Sequence, residues 1–230
     1  MNKMVVLLFC LSFMGVILGS DDPVIPILQG TKIEPFFYLL DEGRSIVFNL
    51  SCGFLASLLL WFLIVHVPNL QKRKIIKRKL NEKYRLFKIN MVRNLLYASD
   101  NRNPKSGLVE DLCNHDQFRR YFGGNKKQHW YDVVRGLDNN ERHIDDIRND
   151  LLILYNEITY VLNNVDFTEE KSYTSFVVLQ ENIFRLLNKN KYESEYVKTL
   201  SQFIYSIMGS WDFTEGAMAD DVVQKMIDQV

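Results

Sequence analysis

Ser45 to Pro68 read SIVFNLSCGFLASLLLWFLIVHVP, and within this stretch Ile46 to Val67 hold 22 residues with no side chain charged at neutral pH. At helical rise such a run covers about 33 Å, against a hydrocarbon core of roughly 30 Å. A buried core helix of that length would carry a polar stripe, and here only Asn49, Ser51, Ser57 and His66 are polar. The run is therefore expected to be a transmembrane helix.

Charge on its two flanks sets the expected orientation. Nine Lys or Arg side chains fall between Lys72 and Lys88, whereas Asp21 to Ser45 is acidic. By the positive-inside rule, Gln71 onward is expected to be cytoplasmic. Net charge is −2 over residues 1–68, +8 over 69–88 and −6 over 89–230, so the overall balance of zero conceals three regions. This pattern excludes a purely soluble chain, a wholly membrane-embedded one, a long disordered chain and a disulfide scaffold.

Upstream, Met4 to Gly19 is a second apolar segment behind Lys3. It is short for a span, about 24 Å as a helix. One reading is a signal peptide, with Gly19 and Ser20 as the small residues before cleavage. The other is a retained first helix whose Lys3 reaches the cytoplasmic surface. Retention is favoured by the GxxxG of Gly15 and Gly19 and by the small pair Gly53 and Ser57, spacings that let helix backbones approach closely in lipid. Ser20 to Arg44, with three prolines and the apolar Phe36 to Leu40, is then a short external loop with aromatics at headgroup level.

The three cysteines do not form a framework: Cys10 and Cys52 sit in apolar segments and Cys113 in the cytoplasmic part. Cys113 and His115 lack the second ligand pair that a zinc site needs, so no metal or cofactor is expected. The chain has no P-loop, no Rossmann glycine signature, no nucleophile elbow, no HExxH and no paired CxxC. His129 with Asp132, and His143 near Asp145 and Asp146, are the densest ionisable groupings, and they read as ordinary helix-surface pairs rather than catalytic ones. Gly123 to Lys127 reads as an interhelical turn.

No proline follows Pro104, and 3.6-residue periodicity recurs, which predicts an all-α fold: an N-terminal transmembrane helical hairpin followed by a cytoplasmic multi-helix bundle. The predicted divisions are 1–68 (membrane), 69–97 (a basic amphipathic helix) and 98–230 (the helical domain). In the second, Ile76, Leu80, Tyr84, Phe87, Met91 and Leu95 form an apolar edge beside the basic cluster. Further helices are expected over Leu108–Tyr121, His129–Leu137, His143–Val165, from a Thr168 cap, over Glu193–Met208 and from a Thr214 cap. Ile144, Ile147, Leu151, Leu154, Ile158, Val161 and Val165 form the seam of the longest, with Leu152, Tyr155 and Leu162 as a second buried stripe. This suits a central bundle helix better than a homodimer zipper, the homo-oligomeric alternative.

The site residues expected from these patterns are Gly15, Gly19, Gly53 and Ser57 for membrane-helix packing, and Lys72, Arg73, Lys74, Lys77, Arg78 and Lys79 for anionic lipid or a partner. Nucleic acid is the alternative ligand for the basic cluster. Lipid and bundle compete for the apolar edge, which makes the connector a two-position element.

The order of Met4–Gly19, Ile46–Val67, the basic Gln71–Lys88 connector and the helical His143–Val165 stretch resembles two-transmembrane effectors encoded beside retron reverse transcriptases in anti-phage defence. The resemblance is architectural, covers the whole chain, and rests on no short motif. It implies an effector held inactive by a partner, in that family a reverse transcriptase–nucleic acid complex, and then released to injure the inner membrane. The expected function is a non-enzymatic membrane effector or regulator, of toxin type, with a cytoplasmic domain that binds a protein partner. The alternative is a tethered scaffold or sensor whose hairpin only anchors it.

Overall fold

The computed structural model describes residues 3–20, 44–100, 104–123, 128–167, 169–193, 195–212 and 216–230. The expected external loop, the turn residues 124–127, and the caps Thr168 and Thr214 lie outside them. The chain divides into two compact units, Met1–Lys72 and Arg73–Val230.

In the first unit, α1 (Lys3–Gly19) packs against α2 (Arg44–Trp61). Most large apolar side chains of both remain exposed, among them Leu7, Leu11, Leu50 and Leu59. After α2 the helix widens into a π-helical turn, Phe62–His66, and continues as α3 (Val67–Ala98). Pro68 supplies the physical reason for the widening: it has no N–H, and its ring crowds the carbonyl four residues back. The backbone N–H of Val67 accordingly reaches back five residues to the Phe62 carbonyl. His66 stacks on Trp61 with ring centroids 5.6 Å apart. By length and composition, Ser45–Ala98 holds the helix long and apolar enough to cross a membrane, and the apolar Met4–Gly19 is shorter.

The second unit is built on the remainder of α3. Its buried edge is the one the spacing predicts: Ile76, Leu80, Tyr84, Phe87, Met91 and Leu95 are all buried. It belongs to one continuous core with α4 (Leu108–Leu112), α5 (His115–Gly123), α6 (Gln128–Asn139), α7 (Glu141–Asn164), α8 (Glu170–Asn188), α9 (Tyr196–Gly209) and α10 (Val222–Asp228). A small antiparallel ribbon, β1 (Trp211–Asp212) with β2 (Gly216–Ala217), lies between α9 and α10.

Several expectations need correction. The segment Leu108–Tyr121 is two helices, because the Asn114 side chain accepts from the N–H groups of Asp116 (2.9 Å) and Gln117 (3.2 Å) and so starts a new one. The last helix begins at Val222, capped by Asp221, because the ribbon occupies the preceding residues. The seam of α7 is buried as expected, but its second stripe is so only in part: Tyr155 and Leu162 are half-buried against the core, and Leu152 is 46% exposed. Tyr155 and Leu162 pack against the rim of the core, whereas Leu152, Ile153 and Tyr160 lie on the outside.

One backbone contact sets the spacing at the far end of α3. A Cβ added to Gly136 would lie 1.8 Å from the Ala98 carbonyl oxygen, so α6 crosses the end of α3 at a distance only glycine allows.

Candidate functional site

The basic cluster of α3 separates into two sets. Lys72, Lys74, Arg78 and Lys79 are exposed, whereas Arg73 and Lys77 turn toward the C-terminal end of α10. The Arg73 guanidinium donates to the main-chain oxygens of Val230 and of Gln229, the latter at 3.3 Å. Lys77 Nζ donates to the Asp228 carbonyl at 2.5 Å. Those carbonyls have no partner inside the helix and form the negative end of its dipole, so cations are favoured there.

The other end of α10 is held by the same helix two to three turns further on. Asp221 caps α10 by accepting from the N–H of Gln224 at 2.9 Å. Its carboxylate also accepts from Tyr84 Oη at 2.9 Å and from Lys88 Nζ at 3.0 Å. Burial, reinforced by the Asp221 charge and hydrogen bond, pushes the Tyr84 phenol well above its usual range, so it stays a donor. Between the polar ends, Val223, Met226, Ile227 and Val230 enter the core that contains Ile76 and Leu80. Helices α3 and α10 thus run antiparallel with α10 clamped at both ends.

Other polar groups are used for cohesion. Asp150 accepts from Asn90 and Asn94 Nδ2 at 3.1 Å each, joining α7 to α3; burial pushes its carboxyl up, against the lowering effect of the Asn90 bond. Arg148 donates to the carbonyls of Leu187 (2.6 Å) and Lys189 (3.4 Å) and to Tyr196 Oη (2.9 Å), closing the end of α8. Arg119 donates to the carbonyls of Gly209 (2.6 Å) and Met218 (3.0 Å), fixing the ribbon to α9.

The sequence-expected groupings are distributed as follows. Gly15 lies at the α1–α2 contact: an added Cβ there would be 2.2 Å from Ser51 Oγ. Gly19, Ser12 and Ser51 are buried. Gly53 has open space around it, and Ser57 bonds its own helix at the Gly53 carbonyl (2.9 Å), so these two are not part of the α1 contact. Ser12 and Ser51 complete that contact, and sequence reasoning missed them although Ser12 stands three residues before Gly15.

His129 stacks on Tyr121 at 4.9 Å, and Asp132 pairs with Arg135 at 3.5 Å rather than with His129. His143 stands on a different helix, α7. Cys113 donates to the Val109 carbonyl at 3.2 Å and its thiol is pushed up by burial; His115 Nε2 lies 3.1 Å from the Ala219 carbonyl oxygen. Among the described residues, no group of three or more His, Cys, Asp or Glu side chains could hold a metal ion.

The surface of the second unit carries concavities, two of them sizeable. One of about 700 Å³ opens between α8, α9 and α10 over Leu179, Phe203, Ile207, Trp211 and Met226. The other, about 590 Å³, is walled by Trp130, Tyr131, Tyr205 and Trp211 with Gln202 as a polar member.

Comparison of the chain with protein-family models, curated proteins and solved structures gives no match to any of the three.

Proposed function

We propose that the chain is a non-enzymatic inner-membrane effector or regulator. In this reading α1 and α2 form a hairpin in the bilayer, the unit from Arg73 is cytoplasmic, and that unit binds a protein partner whose presence decides whether the hairpin perturbs the membrane. The observation that carries the reading is the pairing of two apolar helices at a contact that includes Gly15 and Ser51 while most of their large apolar side chains stay on the outside. Lipid is the medium that covers such a surface, and small residues are what bring helices together within it. The excess of Lys and Arg after Pro68 supports the cytoplasmic side for the second unit.

An active hairpin is favoured over an inert anchor by one feature. Gly53 and Ser57 present a second small-residue face on α2 that α1 does not use. That face is free for a second copy of the hairpin, and association of hairpins is a route from anchor to membrane lesion. The anti-phage role suggested by the architectural resemblance is one setting in which such an effector would serve, with a reverse transcriptase–nucleic acid complex as its restraining partner.

Induced expression of the full chain alone tests the reading. A voltage-sensitive dye should report loss of membrane potential and growth should stop; unchanged potential at high expression would contradict it.

A further inference from the structure

The clamp on α10 assigns a role to the basic cluster that its position in the sequence does not disclose. Arg73 and Lys77 are spent on main-chain oxygens at the end of a seven-residue helix, those of Asp228, Gln229 and Val230, while their neighbours Lys74, Arg78 and Lys79 are exposed. A helix that short has no stability of its own, so α10 persists only while its caps and its apolar face are held. The segment that carries it includes Asp220, Asp221 and Asp228 against Lys225 alone. Toward α3 it presents the Asp221 carboxylate and main-chain oxygens beside an apolar layer, the elements that an anionic membrane surface would also present.

We propose that the edge of α3 formed by Arg73, Ile76, Lys77 and Leu80 is a binding surface for anionic phospholipid, and that α10 is the built-in occupant that lipid displaces. A phosphodiester is a stronger acceptor for guanidinium and ammonium than the peptide carbonyls of Gln229 and Asp228, because it carries a full negative charge. Ile76 and Leu80 would enter the acyl boundary in place of their contacts in the core shared with Val223, Met226 and Ile227. The exposed Lys74, Arg78 and Lys79 draw the surface in, and the negative α10 segment, once released, is repelled from it. Release also removes Val223 and Met226 from one wall of the 700 Å³ concavity, so lipid binding and the shape of that concavity are linked. This inference rests on the membrane reading above and adds the element that switches it.

The test is amide hydrogen exchange across residues 222–230 of the full chain in nanodiscs of phosphatidylcholine, with and without phosphatidylglycerol. Exchange should accelerate roughly thirtyfold in the anionic discs, the effect of bringing two more basic side chains to a charged surface. The acceleration should vanish at about 1 M salt, where the Debye length is about 3 Å. It should also shrink in the triple variant Lys74→Gln, Arg78→Gln, Lys79→Gln, whose side chains make no bond to α10. The double variant Arg73→Gln, Lys77→Gln should exchange faster in neutral discs and respond little to anionic lipid. Equal protection of α10 in both discs would overturn the proposal. A chain that depolarises cells while its α10 ignores lipid charge would sink the displacement alone; lipid-dependent exchange without depolarisation would sink the effector reading alone.

Discussion

Tyr84 and Asp221 are 137 residues apart in the chain, yet the phenol of one donates to the carboxylate of the other at 2.9 Å. The bond joins α3 to the cap of α10, and Lys88 reaches the same carboxylate at 3.0 Å. The Tyr84 ring is fully buried, and its hydroxyl is satisfied by this bond.

Replacing Tyr84 by Phe keeps the ring and deletes the donor. The expected loss is about 1.5–3 kcal/mol, the range for a hydrogen bond to a charged group, read as a shift in the urea midpoint of the full chain in detergent. The same bond gives a pH signature. The Tyr84 phenol is raised in the folded state above its ordinary value of 10.0, so the folded chain holds the proton that the unfolded chain releases. The stabilisation is complete below that value and is lost as pH rises above it. Between pH 9 and 11 the wild-type chain should lose stability more steeply than Tyr84→Phe; equal slopes would show that the phenol is not buried against Asp221.

Gly136 tests the packing of α6 across the end of α3. An alanine methyl would collide with the Ala98 carbonyl, a backbone atom that cannot rotate away. Gly136→Ala should therefore destabilise by about 1–3 kcal/mol or more, the range for overpacking. In an exposed helix the same change would stabilise by up to about 1 kcal/mol. A thermal midpoint that rises would contradict the crossing.

Gly15 and Gly53 make a matched pair. Gly15 faces Ser51 and Val47 at close range, whereas Gly53 faces open space. Gly15→Ile should push α1 off α2 and lower the thermal midpoint of the detergent-solubilised chain, and Gly53→Ile should leave that midpoint near wild type. If hairpins associate through the Gly53 face, Gly53→Ile should nevertheless reduce depolarisation in cells. Equal thermal effects of the two would remove the assigned contact.

The buried edge of α3 could be read from the sequence because a helix repeats its facing positions every three to four residues, and Ile76, Leu80, Tyr84 and Phe87 keep that spacing. The seam of α7 was legible for the same reason. Periodicity says which face is apolar but not whether anything covers it, which is why Leu152 looked buried and is exposed. The α10 clamp was not legible at all. Arg73 and Lys77 are indistinguishable in sequence from Lys74 and Lys79, and only the meeting of segments about 150 residues apart selects them. Asp221 gave a local cue, a carboxylate ahead of Val222 and Val223, but Thr214 offered a competing cap and the ribbon that displaces the helix start involves only two residues per strand. The π-helical turn likewise follows from Pro68, a residue visible in the sequence whose effect falls on the turn before it.

The central claim of the proposed function is that the apolar helices α1 and α2 act on the membrane rather than only tethering the second unit to it. Replacing residues 1–67 by an unrelated two-helix membrane anchor, with everything from Pro68 retained, separates the two most directly. Membrane potential is followed by dye fluorescence in cells expressing either chain at matched levels. The account predicts depolarisation by the wild-type chain and none by the anchor chimaera; a chimaera that depolarises as fully as wild type would contradict it.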